Sequence, residues 1–172
     1  MSRVGLLQIL QRRAEGLGVE IHYETEIADL TPYLDAVLEI AAAGVNSLIR
    51  DTYAASFKPS ITYRPNRFVW LGTNAPFAAF AFTFKENQHG IWNAHAYQYE
   101  EGLATLIVEA TEDTWRASGL DQDDQAATAA YMAELYKEEL GGHKILTNRS
   151  NWRAFPVIHC ESWVHENGGL MG

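Results

Sequence analysis

Apolar residues return every three to four positions in RVGLLQILQRRAEGLG, at Leu6, Leu7, Ile9, Leu10 and Leu17, with Arg12, Arg13 and Glu15 on the other side. That periodicity predicts an amphipathic helix stopped by Gly16 and Gly18. In VEIHYETEI the period drops to two. Val19, Ile21 and Tyr23 alternate with Glu20, His22 and Glu24, which predicts a strand with one wet face. A strand-like run from Ala36 to Ile40 then leads into AAAGVNSLIRDTY. Gly44 breaks it, Asn46 and Ser47 are candidate caps, and a helix is expected from near Leu48 to about Phe57.

From Ile61 to Ala110 the period is two again, interrupted by TNAP, ENQHG and EEG, so at least four antiparallel strands are expected there. DDQAATAAYMAELYKEEL predicts a further helix, opened by an Asp cap and stopped by Gly141-Gly142. KILTNRSNWRAFPVIHCESWV reads as extended and broken at Pro156. No internal repeat, low-complexity tract or linker is visible. The pattern predicts an α+β fold, a large antiparallel or mixed β-sheet with flanking helices.

Within FAAFAFTFK, Phe80, Phe82 and Phe84 alternate with Ala79, Ala81 and Thr83. If ENQHG joins Lys85 to Ile91, Phe84 falls opposite Trp92 and Phe82 opposite Ala94. Ala81 then meets His95, Ala79 meets Tyr97 and Thr83 meets Asn93. One face would be bulky and aromatic, the other small and polar. A small-plus-polar face has room and a few placed donors, as a ligand cavity needs, so Asn93, His95 and Tyr97 are the expected substrate contacts. The alternative is an alanine face packed under a helix, with His95 a satisfied interior histidine.

The 172 residues suffice for one domain with a sizeable core, and the 47% hydrophobic share excludes a disordered chain. The net charge of −9 argues against nucleic acid and anionic membranes as partners. One cysteine, Cys160, cannot form an internal disulfide, which fits a reducing, cytoplasmic setting. No apolar run approaches the roughly 18 residues of a membrane span, and no secretory leader is recognisable in the first residues. No metal site is expected: His89 and His95 lie far apart along a strand, and neighbouring His159 and Cys160 would point to opposite faces. Nucleophile motifs and glycine-rich phosphate loops are absent. Arg64 and Arg67, in YRPNRFVW, form the densest positive spot of the sheet region and fit a solvated strand edge better than an anion site.

AAAGVNSLIR resembles the A-D-G-x-x-S-x-V-R segment of flavin-dependent aromatic-ring monooxygenases with the para-hydroxybenzoate hydroxylase fold. The opening SRVGLLQILQRRAEGLGVEIHYETEI resembles their x-R-x-x-L-x-x-x-L helix and the strand after it. YRPNRFVWLGT and FAAFAFTFKENQHGIWNAHAYQYEEGLATLIVE are most similar to the branch acting on coenzyme A thioesters of aminobenzoate and salicylate. The resemblance runs over nearly the whole chain. It implies FAD and NAD(P)H as cofactors of the parent enzyme. It also implies a small aromatic or aromatic acyl-CoA substrate, and Arg3 and Gly44 as cofactor-binding residues. Residues 1–58 would be the remnant of an FAD-binding part and residues 59–172 the substrate-binding sheet, with a homo-oligomer left open. Two departures stand out. Ala43 occupies the motif's aspartate position, and the N-terminal GxGxxG unit and the later G-D motif are missing. The chain is therefore expected to be an internal fragment that alone binds no FAD and is inactive. The competing expectation is a non-catalytic ligand-binding or interaction module.

Overall fold

The computed structural model describes residues 1–122 and 124–171. They form two compact units, each discontinuous in sequence: the described residues of 1–18 with 64–155, and residues 19–63 with 156–171. The expected boundary at residue 58 lies inside the second of these.

In the first unit, α1 (Arg3–Gly16) begins at Ser2, whose side chain accepts a hydrogen bond from the Gly5 N–H at 3.2 Å. Its apolar stripe is uncovered, with Leu6, Leu7, Ile9 and Leu10 exposed. The sheet follows the order β3-β4-β5-β2-β6 and is antiparallel between neighbours. Its strands are β2 (Pro59–Thr73, beginning in the other unit), β3 (Ala81–Asn87), β4 (Gly90–Glu100), β5 (Leu103–Ala110) and β6 (Ile145–Leu146). β7 (Arg153–Cys160) also pairs with β2. Pro156 does not break this strand. β7 is an edge, where a missing N–H can face outward without leaving a ladder position empty.

Three helices cover one face of the sheet. The first, α4 (Glu112–Ala117), was not expected, although its N-terminus is marked in the sequence. Thr111 caps it, and Glu112 and Asp113 sit in the first turn, where negative charge complements the helix dipole. Then come α5 (Gln125–Leu135), capped by Asp124, and α6 (Lys137–Leu140), ended by Gly141 in the left-handed region. Val69, Leu71, Trp92, Ala94, Ala96, Leu106 and Val108 from the sheet pack against Leu120, Met132, Tyr136, Leu140 and Trp152.

The β3–β4 register differs from the sequence expectation by one residue. Phe82 pairs with His95, Phe84 with Asn93, Thr83 with Ala94 and Ala81 with Ala96. The turn is only Gln88-His89, closed by Asn87 opposite Gly90, and the Asn87 carboxamide oxygen accepts from the His89 N–H at 2.9 Å. Because side chains alternate every residue, a one-residue slip exchanges the faces. Ala81 therefore does not face His95. The alanines lie under the helices, while Phe80, Phe82 and Phe84 stand 56%, 62% and 67% exposed. Lys85 belongs to the covered side, where its ammonium reaches Glu138 and Glu139 at 3.0 and 2.9 Å.

In the second unit, β1 (Glu39–Ala41) runs parallel to β9 (Gly168–Leu170), which pairs antiparallel with β8 (Val164–His165). A 3-10 turn over Gly44–Asn46 follows, then α2 (Leu48–Thr52) and α3 (Ala54–Phe57). The Ser47 hydroxyl caps α2, accepting from the Arg50 N–H at 3.2 Å. The expected strand over VEIHYETEI is not formed. Its alternating pattern is that of a strand, but no partner strand pairs with it among the described residues, and a strand without a ladder leaves its backbone groups to water.

Candidate functional site

The uncovered face of the main sheet follows from the observed register. Directly opposed residues in antiparallel strands share a face. The row Phe82–His95–Ile107–Trp70 therefore runs across four strands, beside the row Phe84–Asn93–Glu109–Phe68. Tyr97 opposes Thr105 and then Gly72. Asn93, His95 and Tyr97, the three expected substrate contacts, thus share one face, and their companions are phenylalanines instead of alanines. Phe80 stacks on Tyr97 at 5.4 Å between ring centroids and 10° between planes. The His95 ring lies 6.0 Å from Phe80 and 5.6 Å, edge to face, from Phe82. The Asn93 side-chain oxygen is buried without a hydrogen-bond partner. The Phe80 and Phe82 rings are largely uncovered and those of His95 and Tyr97 half-buried, and they flank polar groups. Such a surface can stack on another aromatic ring and direct its substituents.

Further along the same face lies a groove of about 600 Å³, lined by Trp70, Tyr99, Phe155, Arg149 and Arg153 among others. Phe155 stacks on Phe68 at 3.8 Å. The loop carrying Arg149 is tightly held. The buried Ser150 hydroxyl donates to the Trp70 carbonyl at 2.7 Å and accepts from the Asn148 N–H at 3.1 Å. The Ser150 N–H donates to the Gln125 side-chain oxygen at 3.2 Å, and the Gln125 amide donates to Asn151 at 3.0 Å. Arg149 itself is held at φ 50°, an uncommon conformation for a residue with a Cβ. The sequence reading treated this stretch only as extended chain. Two arginines flanking Asn and Ser in NRSNWR were the available signal. Arg67, by contrast, is engaged. Its guanidinium bonds Glu112 at 3.1 Å and lies over the Trp115 ring.

Gly44 belongs to the second unit, at φ 65°, and a Cβ added there would meet no atom within 4 Å. With Ser47, Arg50, Ile158, Cys160 and Trp163 it lines a cavity of about 280 Å³. Arg50 is the residue the sequence reading left unassigned. It is buried, donates Nη1 to the Gly44 carbonyl at 3.3 Å, and binds the Asp51 carboxylate through Nε and Nη2 at 3.0 and 2.9 Å. It fixes the turn from within. Arg3 lies in the first unit, exposed on the opening turn of α1, with no ion pair among the described residues. Among those residues no group of three or more His, Cys, Asp or Glu is placed to hold a metal ion, and no helix is long and apolar enough to cross a membrane.

The chain is related along essentially its whole length to the FAD-dependent aromatic-ring monooxygenases. It is 32% identical to salicyloyl-CoA 5-hydroxylase of a Streptomyces species over 99% of this chain and 34% of that protein. It is also 32% identical to 3-hydroxy-4-methyl-anthranilyl-[aryl-carrier protein] 5-monooxygenase of Streptosporangium sibiricum, over 100% of this chain and 44% of that protein. Protodeoxyviolaceinate monooxygenase of Chromobacterium violaceum is 30% identical over 92% of this chain and 43% of its own length. The chain therefore spans between a third and a half of these relatives. No protein-family model matches it. Among solved structures, MHPCO superposes with a TM-score of 0.68 at 19% identity, over all of this chain and 50% of that one. The flavin-dependent halogenase CmlS superposes at 0.66 and 16% identity, over 99% of this chain and 34% of that one. At such identities the likeness is one of fold.

A flavin is the group these relationships imply, and one feature of the second unit fits it: the open space beside Gly44 would let a planar or polyol group approach the backbone.

Proposed function

We propose that this chain is the substrate-binding part of a flavin-dependent monooxygenase that hydroxylates an aromatic ring carried as an activated acid, such as 2-aminobenzoyl- or salicyloyl-coenzyme A. O2 and NAD(P)H would be the co-substrates. The observation that carries this reading is the uncovered aromatic face, where Phe80, Phe82, His95 and Tyr97 stand together beside the unpartnered Asn93 oxygen. Phe80 and Phe82 stack on the ring, and Asn93 and Tyr97 hydrogen-bond its substituents. His95 accepts the phenol or aniline proton. The resemblance makes Arg3 in the first unit and Gly44 in the second, each taken by itself, flavin contacts; bound flavin would supply the oxygen-transfer chemistry. Residues 1–58 contribute to the flavin side and 59–172 to the substrate side.

The test is titration of the chain with the N-acetylcysteamine thioester of salicylate, followed by tryptophan fluorescence. Saturable quenching, weakened by Asn93→Leu and Tyr97→Leu at unchanged folding, is expected. No saturable response from the folded chain overturns the reading. Ala43, at the position where the resembled motif carries aspartate, favours a second reading: a ligand-binding module that does not use flavin. Stoichiometric quenching on titration with FAD would exclude that second reading.

A further inference from the structure

The groove beyond Trp70 is not accounted for by an aryl ring on the Phe80–Tyr97 face. Its Trp70 side lies two strands from His95 on the same face, because His95 opposes Ile107 and Ile107 opposes Trp70, and at about 4.8 Å per strand that separation is roughly 10 Å; its Tyr99 side reaches β4, two residues beyond Tyr97. Arg149 and Arg153 line the groove, both exposed, and neither guanidinium group is engaged in a hydrogen bond or ion pair among the described residues. Arg149 is also displayed at a cost. Its backbone sits at φ 50°, and Ser150, Gln125 and Asn148 hold the loop in that shape. The floor between the arginines and the aryl face is aromatic, formed by Trp70, Tyr99 and Phe155. Unengaged guanidinium forks next to flat aromatic surface suit a ligand that combines phosphate oxygens with a planar ring.

We propose that this groove takes the phosphate-bearing nucleotide part of a coenzyme A thioester, with Arg149 and Arg153 binding its phosphates and Trp70 or Tyr99 stacking on its adenine. The proposal rests on the reading of the neighbouring face as the aryl site. The pantetheine arm crosses the sheet between the two. Coenzyme A is favoured over a carrier-protein thioester because a carrier supplies only a single phosphodiester and no adenine, which would leave the second arginine and the aromatic floor unused.

The probe is coenzyme A itself, without an acyl group, titrated into the 172-residue chain by calorimetry. Saturable binding is expected, weakening as salt rises because the contacts are partly exposed charge pairs. Arg149→Asn, which tolerates the left-handed backbone, and Arg153→Gln should each weaken it about tenfold, the size of one charge-assisted hydrogen bond lost. Neither should shift the thermal midpoint downward. 4′-Phosphopantetheine should bind at least tenfold more weakly than coenzyme A. Equal binding of the two overturns the assignment to coenzyme A and leaves the carrier arm as the occupant. No binding of coenzyme A to the folded chain overturns the proposal outright, as does binding insensitive to both substitutions. The N-acetylcysteamine thioester of salicylate has no phosphate and reports on the aryl face alone. If it binds while coenzyme A does not, the groove proposal fails and the aryl reading stands. If coenzyme A binds while the aryl thioester does not, the aryl reading fails by itself.

Discussion

Phe82 and Trp92 test which face of the main sheet is packed. Trp92 is fully buried, against Tyr131 at 5.4 Å and Trp152 at 6.1 Å between ring centroids. Its indole N–H also donates to Asn87 at 3.3 Å. Replacing it with alanine removes that burial and leaves a cavity the helices above cannot close, so a loss of about 3–5 kcal/mol is expected. Phe82 keeps 62% of its surface in water. Full burial of a phenylalanine side chain is worth about 1.5–3 kcal/mol, and well under half of that applies here, so Phe82→Ala should cost about 1 kcal/mol. Urea unfolding followed by circular dichroism gives both values from midpoints and slopes. Local probes in each unit check that the two unfold together before a single free energy is assigned. Had the register placed Phe82 on the same face as Trp92, the two losses would be comparable. Equal destabilisation of the two variants therefore refutes the observed strand pairing and everything argued from the open face.

Gly90→Ala should be strongly destabilising, by about 2 kcal/mol or more, because its Cβ would stand 2.3 Å from the Thr114 hydroxyl oxygen at a backbone φ of 130°. A thermal melt within a degree of the parent would show that the β3–β4 turn is not as described. Gly44→Val should cost about 1–3 kcal/mol through the positive φ alone, since open space surrounds the position. Ser47→Ala should cost about 1 kcal/mol as a lost cap, and denaturant midpoints that leave both unchanged would remove the turn argument. The Glu112 carboxyl is held below the usual carboxylate range, chiefly by its bond to Arg116, with burial opposing and the charges of Arg67 and Arg116 adding to the lowering. A depressed carboxylate contributes stability that is present above its unfolded pKa and lost as pH falls through the folded one. Glu112→Gln should therefore flatten part of the stability loss below about pH 4.5, and an unchanged acid limb of the pH–midpoint curve would show the pair to be thermodynamically silent.

Much of the architecture is written in short stretches. The ends of α1, α2, α4 and α5 are marked by Ser2, Ser47, Thr111 and Asp124, each of which caps the helix that follows it. The four antiparallel strands between Ile61 and Ala110 follow from period two and their turns. These features depend on residues within about four positions of one another, so the sequence alone specifies them. The strand–Gly44–helix turn belongs to the same class, and it was legible together with the flavin-enzyme resemblance that surrounds it. Which face those strands bury was not legible. A turn of two residues instead of five moves every partner by one and turns Phe80, Phe82 and Phe84 outward. In the observed register Lys85 is on the covered side, bonded to a helix residue more than fifty positions away. The segment at Val19 has a strand's pattern and no partner, and Pro156 continues a strand because its strand is an edge. Arg149 became a groove residue only because the Ser150 hydroxyl reaches the carbonyl of Trp70, eighty residues earlier. Pattern fixes what an element can bury. Only the pairing of distant segments, decided by one-residue register and by which face the helices cover, settles what is left open for a ligand.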